Sequence, residues 1–374
     1  MAFLEARDRR DRVAEWVDRN AGKVFILPAV LTLLAFSLFP LLVSAYLTLT
    51  KLKFAAGGFT LRYVEWLNFK KLIFGSQQYH LLGTFDVFGI VDWLILGAIF
   101  ALLLFFFVRY LIRPGTTVVG VIGRSVAFVV AGALSLLLVA TLGGGFPGSL
   151  VVTLFYVFVG VSVQFALALG LAVLCAQNIY GRNLFRVVFF LPIMVTPVGI
   201  AYMFRMLADT HKGPFADIWT WLGLADFAWA ADPWTARIVV LIGDTWQWTP
   251  FMFIVLLAAI ENQPRDQLEA ARIDGAGGWQ IFRDITWPAI APVAATIVLI
   301  RLIEAYKIID LPNVLTSGGP GIATESLTLH AFVAWRTQDL GGSAAVGYML
   351  LFVATVTCLS FFNFAGRRTR RTEL

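Results

Sequence analysis

Residues 269–288 read EAARIDGAGGWQIFRDITWP and lie between two strongly apolar runs, 237–260 and 289–310. Residues 265–274 favour a helix with Leu268, Ala271 and Arg272 along one side. Glycines 275, 277 and 278 interrupt it, and Trp279 to Trp287 resume a helix up to Pro288, with a second proline at Pro292. A polar helix held on a glycine bend between two apolar runs is a docking element rather than a simple turn.

Outward from this loop, the chain reads as an all-α polytopic membrane protein. It has 374 residues, 59% hydrophobic and 14% charged, against roughly a quarter charged in soluble proteins. A bilayer core about 30 Å thick needs about 20 apolar helical residues. Eight stretches qualify: 24–49, 89–112, 119–142, 150–176, 184–207, 237–260, 289–310 and 344–365. The first is too long for a signal-peptide core and no small-residue cleavage pattern follows it, so it is expected to be a retained span. Four regions follow. They are an amphipathic segment 1–23 with Val13, Trp16 and Val17 at helical spacing, a first span with an external segment and an inserted helix pair (24–149), a core (150–366) containing the loop 261–288, and a basic tail (367–374). The external segment 51–88 is rich in aromatics, which suits packing at the membrane interface.

Orientation follows from the 29 Lys and Arg residues, because positive charge concentrates on the cytoplasmic side. With the N-terminus inside, 18 fall in cytoplasmic segments and nine outside, while Arg301 and Lys307 lie within a span. Both termini are therefore expected inside, with loop 261–288 cytoplasmic. The net charge of +6 is accounted for by contact with anionic membrane lipid and calls for no nucleic-acid partner.

Cys175 and Cys358 fall in apolar spans and read as small buried side chains. His80, His211 and His330 stand apart in sequence, without the spacing of a metal site, so no metal is expected. No Gly-x-x-x-x-Gly-Lys-[Ser/Thr] phosphate loop is present. The spans after residue 150 carry polar groups where such groups are costly: Gln164, Thr196, Asp244, Gln247, Glu304 and Lys307.

The loop resembles the Glu-Ala-Ala motif of permeases in ATP-binding-cassette importers. Glu269, Ala270, Ala271, Gly275, Ile285 and Pro288 match its fixed positions, Asp274-Gly275-Ala276 is intact, and Trp287 replaces the usual Leu. The resemblance covers most of residues 150–366 and points to maltose-type carbohydrate permeases, through Leu315-Thr316-Ser317-Gly318-Gly319-Pro320-Gly321, Gly181 to Arg186, and Asp244 to Phe251. It implies a type I importer fold of about eight transmembrane helices in a bacterial inner membrane. Spans two and three depart from a six-span core, but the larger maltose-type member also has eight. By the same resemblance, Glu269, Ala270, Ala271, Asp274, Gly275 and Ala276 would form a coupling helix in a cleft of a cytoplasmic ATPase. Two such ATPases would bind ATP and Mg, since this chain has no cofactor site of its own. A second related permease and an external solute-binding protein would complete the complex.

Sugar recognition calls for flat aromatic faces beside a few polar groups. Asp244, Trp246, Gln247 and Trp248 offer this combination in span six, and Trp246 matches a pocket position of the family; interfacial anchoring is the alternative reading. In span seven, Arg301, Glu304, Lys307 and Asp310 alternate in sign at three-residue intervals. Helical spacing predicts a structural Arg301–Glu304 pair, with Lys307 and Asp310 nearer the outside as substrate contacts. Thr196 joins them as a candidate. Two rival readings are a secondary carrier using Glu304, Lys307 and Asp310 as an ion site, and a membrane-embedded enzyme, for which no convergent catalytic arrangement is found.

Overall fold

Six helices are long and apolar enough to cross a bilayer in the computed structural model: α1 (Phe25–Thr48), α4 (Ile90–Leu111), α6 (Ser149–Cys175), α10 (Pro233–Glu261), α12 (Gly278–Ala305) and α15 (Leu340–Thr369). The structure describes residues 22–369 except 24, 56, 85–87, 113–117, 143–145, 178–180 and 225. The expected N-terminal amphipathic segment and the last residues of the basic tail lie outside the described residues. Helix α5 (Val118–Leu142), 25 residues long, has the length of a span at 1.5 Å per residue.

The expected span 184–207 is not one straight helix. It is a pair, α7 (Arg182–Phe190, extended by a tight turn Leu191–Met194) and α8 (Pro197–Ala208), bent by 102°. The cause is local: Thr196 precedes a proline and so is extended, and Pro197 opens the next helix without the N–H it lacks. The pair still runs between the two ends of the bundle. Arg186 at its start pairs with Glu261 at the end of α10, whereas Arg205 at its end donates to the Val314 carbonyl at 2.9 Å, near the Gly-Gly-Pro loop.

The external segment also departs from an all-helical reading. Thr50–Ala55 (β1) and Gly58–Tyr63 (β2) form an antiparallel hairpin, followed by α2 (Leu67–Phe74) and α3 (Gln78–Leu81). Buried Asn68 donates to the carbonyls of Thr48 and Thr50 at 2.7 and 2.9 Å, which ties the segment to the end of α1. A Cβ on Gly341 would lie 2.1 Å from the Thr50 carbonyl oxygen, so glycine permits α15 to start against the hairpin. The aromatics Phe59, Trp66, Phe74 and Tyr79 are exposed.

Burial separates core from periphery. None of the apolar windows of α1 or α4 is buried, against 44% of that of α10 and a third of those of α6 and α12. Small Ala168 and Ala172 let α6 approach its neighbours, and with Val157, Met252, Leu256 and Ile297 they make a continuous core. An apolar cavity of about 800 Å³, lined by Phe106, Phe107 and Phe128 on one side and Val157, Val298 and Leu302 on the other, separates α4 and α5 from this core. The inserted pair is therefore peripheral.

Candidate functional site

Short α11 (Arg265–Ile273) follows Pro264, and Gly275 at φ +80° ends it. The amide of Ala276 bonds the Ala271 carbonyl at 2.9 Å and that of Gly275 bonds Arg272 at 3.1 Å, the paired bonds of a glycine-terminated helix. Gly277 then donates to Gln280 Oε1 at 3.0 Å where α12 begins. Glu269, Ala270, Arg272, Asp274 and Gly275 are exposed, Ala271 and Ala276 half-buried. Two apolar side chains missed in the sequence reading stand out beside them: Ile273 is 87% exposed and Trp279 71%. Their sequence signal was apolar residues within a polar loop.

The polar residues of the spans gather at a different place. Asp244 on α10, Gln164 on α6 and Arg301 on α12 form a closed triangle. Arg301 pairs with Asp244, its Nε donates to Gln164 Oε1 at 2.7 Å, and Gln164 Nε2 donates to Asp244 at 2.8 Å. All three are buried. Trp248, one turn after Asp244, places its ring 4.7 Å from the Arg301 guanidinium.

This arrangement overturns the expected Arg301–Glu304 pair and the single four-charge ladder. Helix α12 stops at Ala305, so only Arg301 and Glu304 share it; Arg301 turns inward, and Glu304 pairs with Lys307 at 2.6 Å on an exposed face. Asp310 starts a separate helix, α13 (Asp310–Thr316). The remaining candidates do not converge either. Trp246 is partly exposed and packs edge-on against Phe204 of α8, Gln247 is buried, and exposed Thr196 caps α8 by accepting from the Gly199 amide at 3.3 Å. Consecutive helical residues point about 100° apart, which separates Trp246, Gln247 and Trp248.

At the opposite end from α11, the Gly-Gly-Pro loop folds on itself. Ser317 and Gly318 take positive φ, Thr324 Oγ1 donates to the Gly319 carbonyl at 2.9 Å, and Arg237 Nε donates to the Ala323 carbonyl at 2.7 Å. Ser326 donates to the Ile308 carbonyl at 2.6 Å and caps α14 (Leu327–Arg336) by accepting from the Leu329 amide. Two of the histidines read as isolated meet here: His80 of α3 and His330 of α14 face Glu325 across the fold. Burial pushes the Glu325 carboxyl up, yet its contacts with His330 and His80 outweigh this and bring it to about 2.

The comparisons with known proteins agree with this architecture. The chain is 34% identical over 219 residues to the trehalose/maltose transport system permease protein MalF of Thermococcus litoralis, spanning 59% of this chain and 74% of that one. It is 29% identical over 226 residues to the lactose transport system permease protein LacF of Rhizobium radiobacter, spanning 59% and 74%. In fold it is similar to a chain of a bacterial alginate ABC transporter crystallised with an alginate pentasaccharide-bound periplasmic protein, with a TM-score of 0.62 at 18% identity over 96% of this chain and 98% of that one. Residues 166–372 match the family model described as binding-protein-dependent transport system inner membrane component. With the matched region covering more than half of its length and containing both the glycine-hinged loop and the α10–α12 core, the chain belongs to that family of multi-pass transport permeases.

Proposed function

We propose that this permease carries a sugar, oligosaccharide or polyol across a bacterial inner membrane, powered by two separate ATPase subunits that bind ATP and Mg. A second related permease and an external solute-binding protein complete the importer. The sugar assignment draws on relatives named for trehalose, maltose and lactose transport.

The observation that carries the coupling mechanism is the course of α12. This helix of 28 residues, about 42 Å long at 1.5 Å per residue, has exposed Trp279 in its first turns and buried Arg301 in its last. An ATPase seated on Glu269, Ala270, Ala271, Asp274, Gly275 and Ala276, with Ile273 and Trp279 supplying apolar area, would move the start of α12. The far end of that helix is bound through Arg301 to α6 and α10, so the displacement reaches the core. Coupling requires that docked and undocked states differ in these contacts.

Substrate contact falls to the accessible polar and aromatic groups, Trp246, Thr196, Glu304 and Lys307, with Trp248, Gln247 and Asp310 as further candidates on α10 and at the start of α13. Asp244 is engaged by Arg301 and Gln164 and holds the helices in place while the others bind. The test is the double variant Glu269→Lys/Gly275→Pro in the assembled complex. ATPase copurification and substrate uptake are expected to fall at least about tenfold, equivalent to about 1.4 kcal/mol, at unchanged membrane insertion. Normal ATPase recovery and uptake would remove the loop from the coupling role.

A further inference from the structure

His80, Glu325 and His330 come from distant parts of the chain, and one possible ligand atom from each lies within 4.8 Å of the others. His330 Nδ1 is 3.1 Å from one Glu325 oxygen and His80 Nδ1 is 3.6 Å from the other. A tetrahedral ion with bonds of about 2.0–2.1 Å holds neighbouring ligand atoms about 3.3 Å apart; each imidazole lies near that distance from one oxygen of the carboxylate, which sits between the two rings. The imidazoles stand edge to face, with centroids 5.4 Å apart, so neither ring blocks the other.

Both Nδ1 atoms are buried and make no hydrogen bond, although each is close to the carboxylate. Buried polar atoms of this kind ordinarily have a partner. The surroundings hold the donors in position. The Glu325 side chain packs over Gly318, His330 sits on a helix capped by Ser326, and the Tyr79 ring lies 4.3 Å from that of His80. His330 is 93% buried by its 7% exposure, while the His80 side chain, 32% exposed, leaves a route in from the external side.

We propose that His80, Glu325 and His330 form a binding site for a divalent transition metal of the zinc type, with water as the fourth ligand. Two imidazoles and one carboxylate suit such an ion, whereas calcium and magnesium favour all-oxygen shells. Bound there, the metal joins the external segment between α1 and α4 to the Gly-Gly-Pro loop and α14. It braces the external end of the core against movements delivered through α12. The inference is independent of which solute is carried, and its test requires no transport.

The test uses the full chain in its complex, stripped with a chelator and exchanged into metal-free buffer. Zinc titration followed by elemental analysis is expected to return about one ion per chain, and cobalt(II) to give the intense visible absorption of a four-coordinate site. His80→Gln, at a partly exposed position where folding is not at stake, and Glu325→Gln should each weaken zinc binding by at least about tenfold. Zinc should raise the thermal midpoint of the parent chain and not that of His80→Gln. Zinc retention equal in parent and His80→Gln, or no retained ion at a hundredfold zinc excess, would overturn the site and leave a carboxylate–histidine contact only.

Discussion

One helix, α12, carries two opposite departures from the rule that apolar groups are inside and charges outside. Near its start, Trp279 lies in the open beside exposed Ile273; near its end, Arg301 is buried. The difference lies in what satisfies each group. Arg301 has Asp244, Gln164 and the Trp248 ring within the chain, so its desolvation is offset internally. Ile273 is open and Trp279, although its ring stacks on Phe282 at 5.6 Å, stays largely exposed, so in the proposed complex their apolar area is free to meet the ATPase. The buried charge is therefore accounted for by the chain's own assembly, whereas the exposed apolar pair is accounted for by the proposed ATPase contact.

The strongest way to break this contrast is at the buried end. Asp244→Ala leaves the Arg301 guanidinium without its carboxylate inside the bundle and should cost about 3–5 kcal/mol of stability. Loss of folded protein on detergent size-exclusion, or a large fall in thermal midpoint, is the readout. The double variant Asp244→Leu/Arg301→Met removes both charges and should recover most of that loss. If Asp244→Ala melts like the parent, the triangle does not hold α6, α10 and α12 together.

The exposed end should behave in the reverse manner. Ile273→Ser changes a surface position, where stability effects are usually within about 0.5 kcal/mol, so the isolated chain should melt normally. Its association with the ATPase subunits should nonetheless weaken by several-fold through lost apolar area. Association unchanged in a direct binding measurement would show that Ile273 lies outside the docking surface.

A smaller effect sharpens the placement of the solute. Trp246→Ala is expected to lower uptake several-fold and shift its concentration dependence, since a ring contact contributes about 0.5–1.5 kcal/mol beyond buried area. Trp93→Ala, on peripheral α4 where Trp93 is 63% exposed, should leave uptake unchanged. Equal effects from the two would make Trp246 an interfacial anchor and move the solute toward Lys307 and Asp310.

How much was legible differs from one segment to the next for physical reasons. Residues 269–288 were readable because a helix, its glycine stop and the following proline are set by local backbone preferences. The hairpin also had a local signal that the aromatic reading passed over. Lys51-Leu52-Lys53-Phe54 and Phe59-Thr60-Leu61-Arg62-Tyr63 alternate polar and apolar residues about Gly57-Gly58, the period of a strand. The break in the fifth span was likewise foreshadowed by Pro192 and Pro197, but its 102° bend was not.

By itself the sequence determined the membrane class and the glycine-hinged loop, which follow from apolar run length and local backbone preferences, and its loop motifs carried the resemblance to the family. Tertiary structure alone decided which charges pair. Helical spacing made Glu304 the nearest neighbour of Arg301 along the chain, but half-buried Glu304 pairs with exposed Lys307, and the buried guanidinium reached across to Asp244 and Gln164 instead. The same holds for His80 and His330. They are distant in sequence and adjacent only because α3 and α14 pack at one end of the bundle around Glu325, a proximity that no local rule encodes.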